Sequence, residues 1–139
     1  MSDQYELKRF VDAQEGVYEQ ACAELRAGRK RSHWMWFVFP QIRGLGSSPT
    51  AVRFAISGME EARAYLEHPV LGPRLRECTG IVVGVEGRSV EEIFGYPDDL
   101  KFHSSMTLFA KAAEEAGMFG EALEKYFGGE MDRGTLERI

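Results

Sequence analysis

Apolar residues recur three and four positions apart along most of this chain, and the breaks between such stretches fall at glycine or proline. Asp3 with Glu6 resembles a capping box, and Leu7, Phe10 and Val11 follow at helical spacing, so a first helix is predicted near residues 3 to 14. Val17, Tyr18, Ala21, Cys22 and Leu25 form a second stripe, followed by basic residues and by Gly28 as a C-terminal cap. Ser48-Pro49 pairs a cap serine with a proline at the first helical position, and Val52, Phe54, Ala55 and Ile56 continue that helix. Met59, Ala62, Tyr65 and Leu66 carry the next helix to Glu67, where His68-Pro69 breaks it.

The second half of the chain reads the same way. Leu75, Cys78, Ile81, Val82 and Val85 make the buried side of a helix opening at Leu71-Gly72-Pro73. The β-branched run Ile81-Val82-Val83-Gly84-Val85 also suits a strand, but no pairing partner is evident and helix is preferred. Ser89 to Phe94 reads as a short capped helix, and Gly95-Tyr96-Pro97 as a turn. Asp98 and Asp99 are expected to cap a long helix through Leu100, Met106, Leu108, Phe109 and Ala113, ended by Gly117. Met118 to Phe127 and Asp132 to Ile139 supply two more, separated by Gly128-Gly129.

One stretch escapes this scheme. Trp34 to Phe39 is apolar on every face, so it is either a buried helix or a buried extended segment, and Pro40 stops it in both cases. The whole predicts an all-α fold, a single compact domain spanning residues 1–139 and built from about seven to nine short helices.

Composition narrows the function classes. With 139 residues, 44% hydrophobic and 28% charged, the chain suits one folded domain with its own core. A net charge of −5 argues against non-specific nucleic-acid binding, which depends on neutralising phosphates. Arg26, Arg29, Lys30 and Arg31 nevertheless form a local basic patch. Met1 to Lys8 lack the apolar stretch of a secretory signal and no later run is long enough to span a bilayer, so a cytoplasmic location without membrane attachment is expected. Cys22 and Cys78 belong to no CxxC pair and are expected to be buried thiols. The histidines at 33, 68 and 103 come from three separate elements, so no metal site and no cofactor is implied.

Candidate chemistry concentrates in two places. Ser32 to Gln41 holds both tryptophans, a histidine and two phenylalanines, preceded by the basic run and followed by Gly44-Leu45-Gly46-Ser47-Ser48. Cations, wide ring faces and a loop feeding a helix N-terminus suit an anionic or ring-bearing ligand. In that scheme Arg31, Lys101 and the backbone N–H groups of the loop holding Gly44, Gly46 and Ser48 would neutralise charge, Trp34 or Trp36 would stack on a ring, and His33, Gln41, Ser104 and Ser105 would orient or activate the reacting group. The second place is Lys101, Ser104 and Ser105, which share a helix face, so that a lysine could activate a serine if burial lowered its pKa. Simple core packing of the rings, and serines bonded to their own helix backbone, explain much of the same pattern.

Several strings carry a family signal: His33-Trp34-Met35-Trp36-Phe37-Val38-Phe39-Pro40-Gln41, Tyr65-Leu66-Glu67-His68-Pro69-Val70-Leu71-Gly72-Pro73-Arg74-Leu75, and Lys101-Phe102-His103-Ser104-Ser105-Met106-Thr107-Leu108-Phe109. In this order, and together with Gly44-Leu45-Gly46, they resemble the DUF1810 family, or Rv1873-like superfamily, over nearly the whole chain. The resemblance implies a compact, mainly α-helical bacterial domain and brings no activity with it. Two functions are thus expected from the residues. The first is an anion- or nucleotide-derivative-binding domain, in the extreme an enzyme on a phosphorylated or ribosylated molecule, with its cleft between the 31–48 segment and the start of the 98–109 helix. The alternative is a non-enzymatic module that anchors a protein partner on the aromatic segment and steers it with the basic patch.

Overall fold

The helix from Asp98 to Ala112 is the axis of the molecule, with ten of its fifteen residues buried. A helix enclosed on all sides carries no polar stripe, which is why its sequence looks mixed rather than amphipathic. The computed structural model describes residues 3–139, so Met1 and Ser2 of the polar N-terminal stretch lie outside the described residues. Among those residues ten helices occur: α1 (Lys8–Gln14), α2 (Tyr18–Arg26), α3 (Met35–Val38), α4 (Pro49–Arg53), α5 (Met59–Glu67), α6 (Leu71–Gly84), α7 (Val90–Phe94), α8 (Asp98–Ala112), α9 (Gly117–Phe127) and α10 (Arg133–Leu136). The count exceeds the expected seven to nine because the undecided stretch at 34–39 adds the single turn α3, and the expected last helix is likewise a single turn, α10.

Helices α5, α7, α9 and α10 pack around α8, while α6 bridges α2, α5 and α9. Aromatic rings tie these layers together. Phe102 of α8 stacks on Phe94 at 4.6 Å and meets the edge of Phe39 at 5.1 Å, so the aromatic segment is docked directly onto the central helix. Deeper in the core, Tyr65 of α5 contacts Phe109 of α8 at 5.3 Å and Phe10 of α1 at 5.1 Å. Such pairs add to the burial of their large surfaces.

The ambiguous stretches resolve by tertiary contact. The 34–39 segment is one helical turn, and the β-branched run at 81–83 belongs to α6. Ala55 and Ile56 do not extend α4. Arg43 donates its backbone N–H to the Ile56 carbonyl, and the Ile56 N–H donates to the Gln41 carbonyl, both at 2.8 Å, making a parallel bridge that seats Ile42 and Ile56 in the core. The first helix starts at Lys8 rather than near Asp3. The Asp3 carboxylate accepts the backbone N–H groups of Leu7 and Lys8 at 2.7 and 2.9 Å, while Glu6 takes a left-handed φ of 53° that helix geometry forbids. The Ser89 cap does form a full capping box with Glu92. At the far end, α8 stops at Ala112, and Gly117 opens α9 instead of closing α8.

Arg9 supplies a cross-link that no periodicity reveals. Its guanidinium donates to the carbonyls of Arg53, Tyr5, Glu6 and Ala55 and to the Glu61 carboxylate. All five of its donors are therefore used, and α1, α5 and the end of α4 are held by one side chain.

Candidate functional site

The aromatic segment owes its shape to a carboxylate in the preceding helix. Glu24 of α2 is only 8% exposed, yet it accepts hydrogen bonds from the backbone N–H groups of Arg31 and Ser32, the Ser32 hydroxyl, the Trp34 indole and the Gln20 amide. Burial pushes this carboxyl up, but the Ser32 hydroxyl, the Arg31 N–H, the Trp34 indole and the Ser32 N–H together hold it down at about 2. The turn from Arg29 to Trp34 is in effect wrapped around a fixed negative charge. Trp34 is thereby committed to the core, with its N–H 2.9 Å from Glu24. It has no open face for a ligand ring.

The aromatic segment and the start of α8 meet through charges for which the sequence suggested other roles, Lys30 in the basic patch, Lys101 as a candidate base and Asp98 as a cap. Asp98 receives Lys30 Nζ at 2.8 Å on one carboxylate oxygen and Lys101 Nζ at 3.3 Å on the other. Lys30 also lies over the Trp34 ring at 5.2 Å, and Lys101 over the half-buried Trp36 ring at 4.7 Å. Asp98 was expected to cap α8. Its carboxylate instead bridges two lysines, and α8 begins after Pro97 with no side-chain cap. The backbone N–H of Lys30 donates to the Ile93 carbonyl at 2.7 Å, which seals the junction with α7.

The serine–lysine arrangement does not assemble. Lys101 is held by Asp98 and Trp36, while Ser104 donates to the Leu100 carbonyl at 3.1 Å and to the Asp132 carboxylate at 3.0 Å. Asp132 in turn caps α10 through the Thr135 N–H and hydroxyl, so Ser104 joins α8 to the C-terminal turn. Ser105 is completely buried and its Oγ has no hydrogen-bond partner among the described residues. A hydroxyl in that position is closed to any ligand arriving from water.

The glycine loop is equally occupied by packing. Ser48 accepts the Ala51 N–H and caps α4, a helix of five residues. A Cβ at Gly46 would sit 2.7 Å from the Ala51 side chain, and one at Gly44 would sit 2.9 Å from the Arg138 guanidinium. Close approach explains Gly46, and a left-handed φ of 98° explains Gly44. The hollow lined by Trp36, Gln41, Gly44 and Gly46 holds about 20 Å³, room for a single water.

What remains accessible is a surface. Arg31 and His33 are exposed on the segment that Glu24 organises. Beside Lys101, Leu100 is 51% exposed, and Tyr96 in the preceding turn is 76% exposed. Tyr96 and Leu100 were missed as surface groups, since nothing in the sequence marks an apolar residue as facing outward, whereas Lys30 and Asp98 were named only as part of a basic patch and as a helix cap. No group of three or more histidine, cysteine or acidic side chains among the described residues is placed to hold a metal ion. Three wider grooves lie elsewhere, of about 640 Å³ lined by Arg63, Glu67, Arg76 and Lys111, about 580 Å³ lined by Arg9, Arg43, Arg53 and Glu61, and about 680 Å³ lined by Glu121, Glu124 and Lys125. Each mixes cations with carboxylates. No helix among the described residues is long and apolar enough to cross a membrane.

An all-α domain with a buried carboxylate clamp and an aromatic segment docked on its central helix is the class that these observations define. The chain belongs to the protein family of unknown function DUF1810, whose sequence profile matches residues 4–139. Its fold is also that of Rv1873, a conserved hypothetical protein from Mycobacterium tuberculosis known from a crystal structure. The two are 64% identical, the match covers 99% of this chain and 98% of that one, and the TM-score is 0.97. No curated protein matches the chain.

Proposed function

We propose that this domain is a non-enzymatic interaction module that recognises a protein partner through one face, formed by Arg31, His33 and Trp36 together with Tyr96, Leu100 and Lys101. The observation carrying this reading is the contrast between locked and free groups. Ser104, Ser105 and Trp34 are bonded or buried inside the fold, whereas Tyr96 and Leu100, close in sequence to the Lys101 that lies over Trp36, stand in solvent. Tyrosine, tryptophan and arginine are the residue types that anchor protein interfaces, and flanking cations steer an acidic partner toward them. A ring-bearing small ligand needs a hollow of roughly 300 Å³ or more. The 20 Å³ pit beside Trp36 is far below that.

The experiment replaces Leu100 with a photo-crosslinking residue and compares capture by the native surface with capture by a Tyr96→Ala, Trp36→Ala variant. A partner bound by the first and lost by the second is expected. In parallel, nucleotides, sugar phosphates and ADP-ribose are screened by thermal shift, where no stabilisation is expected. A rise of several degrees with one of these ligands, abolished by Arg31→Ala or Lys101→Ala, would overturn the interaction reading in favour of an anionic small-molecule site.

A further inference from the structure

We propose that Cys22 and Cys78 form a reversible intramolecular disulfide, which makes the seam between α2 and α6 an oxidation site for hydroperoxides. The two cysteines are 56 positions apart in sequence, yet their sulfurs lie 3.8 Å apart across two packed helices. A disulfide needs about 2 Å, so closure brings the two sulfurs together by roughly 2 Å. Nothing in the aromatic segment or its proposed interface uses this pair.

The surroundings favour reaction at one sulfur. Cys22 is 3% exposed while Cys78 is fully enclosed, and Cys22 Sγ lies 3.9 Å from the Glu77 carboxylate, which the Tyr18 hydroxyl also meets. Donation from the Cys78 thiol, aided by Tyr18 and opposed by burial and the Glu77 carboxylate, holds the Cys22 thiol below its ordinary value, while sharing that proton pushes the Cys78 thiol up. Cys22 alone of the two has any surface open to solvent, and a small oxidant reaches the seam there. Because Cys78 is fully enclosed and Cys22 is not, Cys22 is the attacking sulfur and Cys78 the resolving one.

The chemistry balances with a hydroperoxide as oxidant. The Cys22 thiolate attacks the terminal peroxide oxygen, the O–O bond breaks, and the leaving alkoxide or hydroxide takes a proton, leaving a sulfenic acid on Cys22. Cys78 sulfur then attacks the Cys22 sulfur, the S–O bond breaks, and water departs with the Cys78 proton. The two thiols have given up two electrons and the peroxide has accepted them. A thiol reductant reverses the bond through a mixed disulfide, so in a reducing compartment the pair rests as free thiols.

The test treats the purified, folded protein with hydrogen peroxide and counts thiols with a maleimide reagent before and after. The expected result is loss of both thiols in a monomer lighter by two hydrogens, a cross-linked peptide joining residues 22 and 78, and full recovery with dithiothreitol. Closing so long a loop should also raise the melting temperature by roughly 5–10 °C. With Cys78→Ser the sulfenic acid should persist on Cys22 and be trapped by dimedone, whereas Cys22→Ser should leave Cys78 unreactive. Thiols that survive in the native protein and react only in urea overturn the proposal. So do disulfide-linked dimers, or a sulfinic acid on Cys22 beside an intact Cys78 thiol. The native assay decides the matter even where a serine variant does not fold.

Discussion

Replacing Glu24 by glutamine keeps the shape of the clamp and removes its charge. A carboxyl held at about 2 instead of its ordinary 4.5 stabilises the folded chain by about 2–3 kcal/mol at neutral pH, after some allowance for residual contact with water. The sign follows from the direction of that shift. Because the folded form holds the proton less tightly, the stabilisation is complete above pH 4.5 and disappears as the pH falls toward 2. Glu24→Gln should therefore lose about 2–3 kcal/mol at pH 7, or roughly 10 °C in melting temperature for a chain of this size. By pH 3 the gap between variant and native protein should shrink to roughly half, since the carboxyl of the unfolded chain is by then almost fully protonated while the folded one still holds its charge. Urea titrations at both pH values, followed by Trp34 fluorescence in a Trp36→Phe background, measure the two gaps directly. A variant as stable as the native protein at pH 7, or a gap of equal size at both pH values, would refute the view that a buried charge holds the turn.

Three further outcomes test other joints of the fold. Arg9→Lys keeps the charge beside Glu61 but loses most of the fork that reaches four carbonyls, and should cost about 2 kcal/mol in urea denaturation. Ser105→Ala removes a fully buried hydroxyl that has no partner among the described residues, so the melting temperature should stay the same or rise, unlike the fall expected of a catalytic or hydrogen-bonded serine. Gly72→Ala would place a Cβ 2.1 Å from the Leu66 carbonyl oxygen at the α5–α6 corner, and should destabilise by about 3 kcal/mol or more in the same assay.

The sequence by itself determined the helical class, most helix bodies and many of their caps, because the 3.6-residue period and local signals such as Ser48-Pro49 or Ser89 with Glu92 act over a few residues. The meeting of the aromatic segment with the start of α8 was also legible, since cations and rings cluster at both. What each group does there was not. Whether Trp34 faces a ligand or Glu24, and whether Lys101 activates a serine or grips Asp98 over Trp36, depends on side chains brought together from different helices. The same is true of Arg9, whose partners lie up to 52 positions away, and of two cysteines that no spacing rule pairs. Local pattern records how a segment covers its own backbone and buries one face. Charge pairing, accessibility and sulfur proximity are properties of the packed helices, and only the tertiary structure decided them.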